Sequence, residues 1–214
     1  MWTNLCVDDF FNDPDKVVKL ASNLEYNKDG YSPGVRSSNM ADIDKNFFNS
    51  CCNKILSLFY PNEYRGLLFS ATAFFHKVDP NTIDSWVHQD KDSVLTAIVY
   101  LNKNLKAGTS LMKKKQFTKN LQLDYTNIKY DYFKSDKQKD KKVLEAQKKH
   151  LKEFDETVIY YNEYNRLIAF DALQHHMAHE NKEDETRLTY ITFFKKVDHI
   201  YDRFFTPIEK SKTI

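Results

Sequence analysis

The sequence predicts an antiparallel β-sandwich or barrel preceded by helices. From residue 67 onward, aromatic and β-branched residues come in short runs of strand length, at 67–75, 94–101, 157–161, 166–170 and 187–194. Polar or turn-forming residues separate them. No helical pattern alternates with these runs, as a parallel α/β sheet would require. The 16 Phe and 13 Tyr suit the interior of packed sheets.

The elements follow in order. Asp13-Pro14-Asp15 places a turn residue and a helix-initiating proline ahead of Val17, Val18, Leu20, Ala21 and Leu24, which recur on one face. Tyr31-Ser32-Pro33-Gly34 marks a loop. A second helix is expected over about 42–60, with Ile43, Phe47, Phe48, Ile55, Leu56 and Phe59 as its apolar stripe and Pro61-Asn62 as its end. Residues 1–66 thus read as a helical part and 67–200 as the β core. A tail follows over 201–214, all within a single domain. Within the core, residues 112–156 read as a hydrophilic insertion that opens on Lys113-Lys114-Lys115 and is lysine-rich over 136–154. The expectation there is a solvated helix or a lid over the sandwich edge; a basic surface for an anionic partner is the other reading.

Composition excludes several classes. Lys and Arg number 32 against 30 Asp and Glu, a net charge of +2, which argues against a nucleic-acid-coating protein. Four glycines and five prolines are too few for collagen-like or linker-like chains. No run of about 18 apolar residues is present, so no membrane span is expected. The first residues hold Asp8 and Asp9 and no basic region, so no signal peptide is expected either. Cys6, Cys51 and Cys52 are an odd number with one adjacent pair, which reads as reduced thiols in a cytoplasmic protein.

Chemistry concentrates in two places. His88-Gln89-Asp90 sets an imidazole and a carboxylate two residues apart, a spacing that puts both on one side of an extended chain. Far along the chain, the strand ending Ala169-Phe170-Asp171 leads through a polar turn to His175-His176 and His179. Arg187 then opens the apolar run Leu188-Thr189-Tyr190-Ile191. An arginine leading such a strand is costly to bury unless a carboxylate meets it.

Taken together, His-x-Asp, a distal histidine and a strand-borne arginine resemble the iron(II)- and 2-oxoglutarate-dependent oxygenases. Thr96-Ala97-Ile98-Val99-Tyr100-Leu101-Asn102 is similar to the Thr-x-x-x-Tyr-Leu-Asn strand of their prolyl 4-hydroxylase-like branch. The resemblance covers about 74–194 and implies a double-stranded β-helix, or jelly roll, mainly β with flanking helices. It implies one iron ion, Fe(2+), held by His88, Asp90 and His176, with 2-oxoglutarate and dioxygen as cosubstrates. Two imidazoles and one carboxylate fill one face of a six-coordinate iron and leave three adjacent positions open. Arg187 would take the remote carboxylate of 2-oxoglutarate, Tyr100 would share it, and Thr189 would add a hydroxyl. The family pattern places the distal ligand at His176, with His175 and His179 as the alternatives.

The activity implied is hydroxylation of a C–H bond in a prolyl or other peptide residue, or in a free amino acid or similar small molecule. Nucleic-acid demethylases of the superfamily carry a second arginine six residues past the first, where this chain has Phe193. A nucleic-acid substrate is therefore not expected, and neither is a non-catalytic binding module. Among the remaining candidates, His76 reads as a pocket or core residue. Trp86 reads as a wall or as packing, Asn165 and Asp171 as turn formers, His150 and His199 as surface residues, and Cys51 and Cys52 as core.

Overall fold

The computed structural model describes residues 4–28, 32–62, 66–80, 86–103, 107–115, 141–179 and 185–199. Asp13 and Pro14 start the first helix as expected: α1 runs Pro14–Ser22, and the Asp13 side chain accepts from Lys16 N at 3.1 Å. The expected second helix is two, α2 (Met40–Ile43) and α3 (Lys45–Phe59). Asp44 breaks them apart, ending one and capping the next through Phe47 N at 3.0 Å.

The five predicted strands all form, as β4 (Leu67–Val78), β5 (Leu95–Tyr100), β7 (Phe154–Tyr161), β8 (Leu167–Asp171) and β10 (Arg187–His199). Five more join them: β1 (Asn4–Val7), β2 (Tyr26–Asn27), β3 (Val35–Ser37), β6 (Gly108–Lys114) and β9 (His176–Ala178). Residues 1–66 are therefore not wholly helical, because their first and middle segments pair as edge strands of the large sheet. All pairing is antiparallel, in a seven-stranded sheet of order β1-β8-β5-β10-β4-β3-β2 and a three-stranded sheet of order β7-β6-β9. The two sheets face one another in a jelly roll.

Strand alternation sorts the side chains of the large sheet. Ala73, Phe75, Leu95, Ala97, Val99, Tyr190 and Phe194 pack outward against Phe48, Cys52, Ile55, Leu56 and Phe59 of α3. The intervening residues Phe74, Ile98, Ile168, Phe170 and Ile191 point inward and meet Leu111 of β6. Each large apolar side chain fully buried in these layers contributes about 1.5–3 kcal/mol.

The expected insertion is shorter than 112–156. β6 runs to Lys114 and β7 begins at Phe154, so both ends of that stretch are paired core strand. Between them, α4 (Lys141–Leu151) is described, whereas 116–140 and the tail lie outside the described residues. His150 on α4 is half-buried against the core rather than a surface residue. Among the described residues no helix is long and apolar enough to cross a membrane.

Gly34 carries a backbone constraint next to the site. Its φ is +79°, and a Cβ there would lie 2.0 Å from the Lys77 carbonyl oxygen of β4. The adjacent Pro33 carbonyl accepts from His76 Nε2 at 2.6 Å, so this close approach seats the loop. Gly34→Ala should lose roughly 2–4 kcal/mol, from the left-handed conformation and the forced backbone shift together. Urea unfolding checks this, and an unchanged midpoint would contradict it.

Candidate metal centre and anion pocket

His88 and His176 are brought together by backbone pairing. His88 N donates to His176 O at 3.0 Å and His176 N to His88 O at 2.9 Å, forming a one-residue antiparallel bridge. Asp90 N donates to Ala172 O at 2.8 Å, and the Gln89 side chain donates to Leu173 O at 2.5 Å. The loop bearing His88 and Asp90 is thus laced to the turn that precedes His176. Asp171 shapes that turn by accepting from Leu173 N at 2.9 Å.

The three side chains converge. One ligand atom from each of His88, Asp90 and His176 lies within 4.8 Å of the others. His88 Nε2 is 3.7 Å from Asp90 Oδ1, and His176 Nε2 is 3.4 Å from Asp90 Oδ2. Adjacent ligands of a six-coordinate divalent metal at ordinary bond lengths sit about 3 Å apart, so the set fits such an ion with small adjustment. Tautomers fit as well. His88 Nδ1 meets Trp86 O at 2.7 Å and His176 Nδ1 meets Gln174 O at 2.9 Å. A carbonyl only accepts, so each Nδ1 carries a proton, which leaves Nε2 as the atom that would ligate in the neutral ring. Thr96 donates to Asp90 Oδ2 at 2.6 Å, which orients the carboxylate.

A pocket leads from this cluster along the inner face of the large sheet, past Ile98, Ile191 and Phe193, to Arg187. Arg187 is 6 % exposed, and burial pulls its guanidinium below its usual pKa. Among the described residues its Nε has no hydrogen-bond partner, and no carboxylate forms an ion pair with it. The Tyr100 ring lies beneath the guanidinium at 5.6 Å. Burial raises the Tyr100 phenol to about 12, so it stays a neutral donor, and its hydroxyl reaches Thr109 at 2.8 Å. Thr189 sits between Tyr100 and His76 in register and is buried on the same face. Asn102 holds the start of β10: its side chain donates to Thr186 O at 2.9 Å and accepts from Leu188 N at 2.6 Å, on either side of Arg187.

The other candidates take clear places. His76 lines the pocket and anchors the Pro33 carbonyl. Arg36 adds a second cation to the wall, 4.4 Å over the Phe74 ring. Trp86 is buried at 1 % exposure and packs against His150. His175 turns away to pack at a tilt against Phe154, with ring centroids 5.0 Å apart. The His179 ring meets Ser110 and, at 3.5 Å, Glu156, outside the three-residue cluster. Cys51 and Cys52 are buried in α3, and burial holds both thiols up at about 12. Asn165 adopts φ 65° and ties the N-terminal segment through Phe11 N at 2.8 Å. The side chain of His199 lies outside the described residues. Sequence reasoning did not single out Thr109, Arg36 or the structural part of Asn102. Only the stretch of Thr96 to Asn102 carried a signal, and that signal named Tyr100.

Residues 3–194 match the family of unknown function DUF6445. No curated protein matches the sequence. Solved structures match the fold. HygX from Streptomyces hygroscopicus, with nickel and 2-oxoglutarate bound, is 8 % identical with a TM-score of 0.58, over 90 % of this chain and 82 % of that one. An oxidoreductase of the 2OG-Fe(II) oxygenase family from Burkholderia pseudomallei is 7 % identical with a TM-score of 0.56, over 90 % and 84 %. A prolyl 4-hydroxylase from Phytophthora capsici is 12 % identical with a TM-score of 0.51, over 90 % of this chain and 58 % of that one. At these identities the likeness is one of fold.

The electrostatics of Asp90 give a pH test. Burial pushes the carboxyl up, but the hydrogen bond and charge of His176, the charge of His88 and the Thr96 hydroxyl outweigh it and hold the group at about 2, below the ordinary 3.8. A group lower in the folded than in the unfolded state adds stability that is present above about pH 4 and lost as pH falls towards 2. The metal-free wild type should therefore exceed Asp90→Asn in urea midpoint at about pH 5, where the imidazoles are charged and the carboxyl ionised, with the gap closing on further acidification. A gap that stays constant with pH would count against this account.

Proposed function

We propose that this chain, which belongs to the family of unknown function DUF6445, is an iron(II)- and 2-oxoglutarate-dependent dioxygenase that hydroxylates a C–H bond. One observation carries the reading. Two imidazole Nε2 atoms and a carboxylate converge at one end of a pocket whose other end is a buried guanidinium with an unpartnered Nε. That pairing suits a small keto diacid, chelated at one end and ion-paired at the other.

In this reading His88, Asp90 and His176 hold the metal. When bound, it activates dioxygen for insertion into a C–H bond while 2-oxoglutarate is oxidised to succinate and carbon dioxide. The chain supplies binding and orientation. Asp90 is the one anionic ligand and offsets part of the divalent charge, with Thr96 fixing its carboxylate. The carbonyls of Trp86 and Gln174 keep both imidazoles in the ligating tautomer. Ile98, Ile191 and Phe193 form the dry middle of the pocket, against which the methylenes of the cosubstrate would rest. Arg187 receives the remote carboxylate as a planar fork, a geometry lysine does not match. Tyr100 and Thr189 stand beside Arg187, and Thr109 shares the Tyr100 hydroxyl.

The Thr96–Asn102 stretch supports a prolyl 4-hydroxylase-like branch and hence a prolyl or other peptide substrate. A second reading, hydroxylation of a free small molecule, is favoured by the structural likeness to HygX, which is also known with hygromycin B bound.

Purified protein given iron(II), 2-oxoglutarate and air should produce succinate, and a chelator should stop it. Asp90→Ala should abolish turnover, and normal succinate production by that variant would sink the proposed centre. Arg187→Ala should raise the apparent KM for 2-oxoglutarate by roughly 30-fold to several-thousand-fold, from about 2–5 kcal/mol of lost charge-assisted contact. Tyr100→Phe should cost about 0.5–1.5 kcal/mol, a few-fold to about tenfold. An Arg187→Ala enzyme with unchanged dependence on 2-oxoglutarate would refute the pocket.

A further inference from the structure

The peptide unit that leads into His88 is held at both ends, and one of the two holders lies outside the sandwich. Its N–H, on His88, donates to His176 O at 3.0 Å. Its carbonyl, on Val87, meets His150 Nε2 at 2.9 Å. A carbonyl only accepts, so His150 Nε2 is the donor. The preceding carbonyl, on Trp86, takes the Nδ1 proton of His88 itself. Two imidazoles thus fix two consecutive carbonyls, one ring from inside the pocket and one from behind.

His150 belongs to α4, in the connection between β6 and β7. Its ring lies 5.5 Å from that of Trp86 and 5.2 Å from that of Phe154. Val87, Met112, Phe154 and Met177 form a small apolar cluster there. Met177 points away from its neighbours His176 and Ala178, which line the pocket, so this cluster is the outer face of the three-stranded sheet. The described helix of the connection therefore backs the metal-ligand strand and does not cover the pocket mouth.

We propose that His150 is a positioning residue for His88. By holding the Val87 carbonyl it sets the plane of the Val87–His88 peptide, and with it the direction of the His88 Nε2 lone pair. This makes α4 a working part of the metal centre. The inference rests on the metal reading above, and its test separates the two.

Manganese(II), which does not turn over, is titrated into the full chain without 2-oxoglutarate, followed by calorimetry. His150→Leu keeps apolar packing and removes the donor; it should weaken manganese binding by about 10-fold. His150→Gln places an amide N–H near the lost Nε2 and should restore affinity to within about threefold. Both variants should unfold thermally close to wild type, and both should bind 2-oxoglutarate normally once saturated with manganese. Wild-type affinity in His150→Leu, or a glutamine variant as weak as the leucine one, overturns the proposal. A wild type that binds no manganese instead rejects the metal centre itself. Should His150→Leu fail to fold, His150→Phe keeps the ring stack without the donor and takes its place in the same comparison.

Discussion

The site depends on the two-residue period of β5 and β10 being satisfied on both faces at once. Every residue of β5 is buried. Leu95, Ala97 and Val99 serve the helix-facing layer, and Thr96, Ile98 and Tyr100 the pocket. β10 divides in the same way, with Tyr190 and Phe194 outward and Arg187, Ile191 and Phe193 inward. A slip of one residue would carry the arginine and Thr96 into the helix layer and Phe194 into the pocket, so both apolar layers specify the register. The fifteen-residue helix α3 therefore bears on the pocket at a distance, because its contacts with the outward set decide which residues face inward.

That register leaves the chain holding a buried guanidinium whose Nε has no partner among the described residues. A structure accepts such a cost where a ligand removes it, and the opposite end of the same pocket gathers His88, Asp90 and His176, three side chains that could hold a metal ion. The polar groups are divided accordingly. Asp90, the one carboxylate among the described residues of the pocket lining, stands with His88 and His176. At the far end the described residues contribute neutral hydroxyls, from Tyr100 and Thr109, and no carboxylate to the lining.

Precision at the His88–Asp90–His176 cluster comes from backbone, not from side-chain packing alone. The bridge between His88 and His176, the Asp90-to-Ala172 bond and the Gln89 side chain join two loops far apart in sequence. Ligand spacing is then set by peptide geometry, which bends little, while the side-chain torsions are fixed by the carbonyls of Trp86 and Gln174. The contact from His150 extends this scaffold to a helix that a minimal sandwich would not need.

The sequence by itself determined the elements that carry a strong local signal. β4, β5, β7, β8 and β10 are long or aromatic and β-branched enough to declare their period, and Asp13-Pro14 declares the start of α1. It also marked His88, Asp90, His176 and Arg187 as candidates, through motif spacing and through the cost of burying an arginine. Only the tertiary structure decided the rest. β2, β3 and β9 have two or three residues each, and β6 opens on Gly108-Thr109-Ser110 and ends in lysines, so their strand state comes from partners distant in the chain. It is the fold that sets the His176 ring beside His88 and Asp90, while His175 meets Phe154 and His179 meets Ser110 and Glu156. His150 read as one more polar residue of a lysine-rich helix until the fold set it against the Val87 carbonyl. An imidazole is donor, acceptor, ligand or packing surface according to what it meets, and the identity of those neighbours is set by long-range pairing that local sequence does not encode.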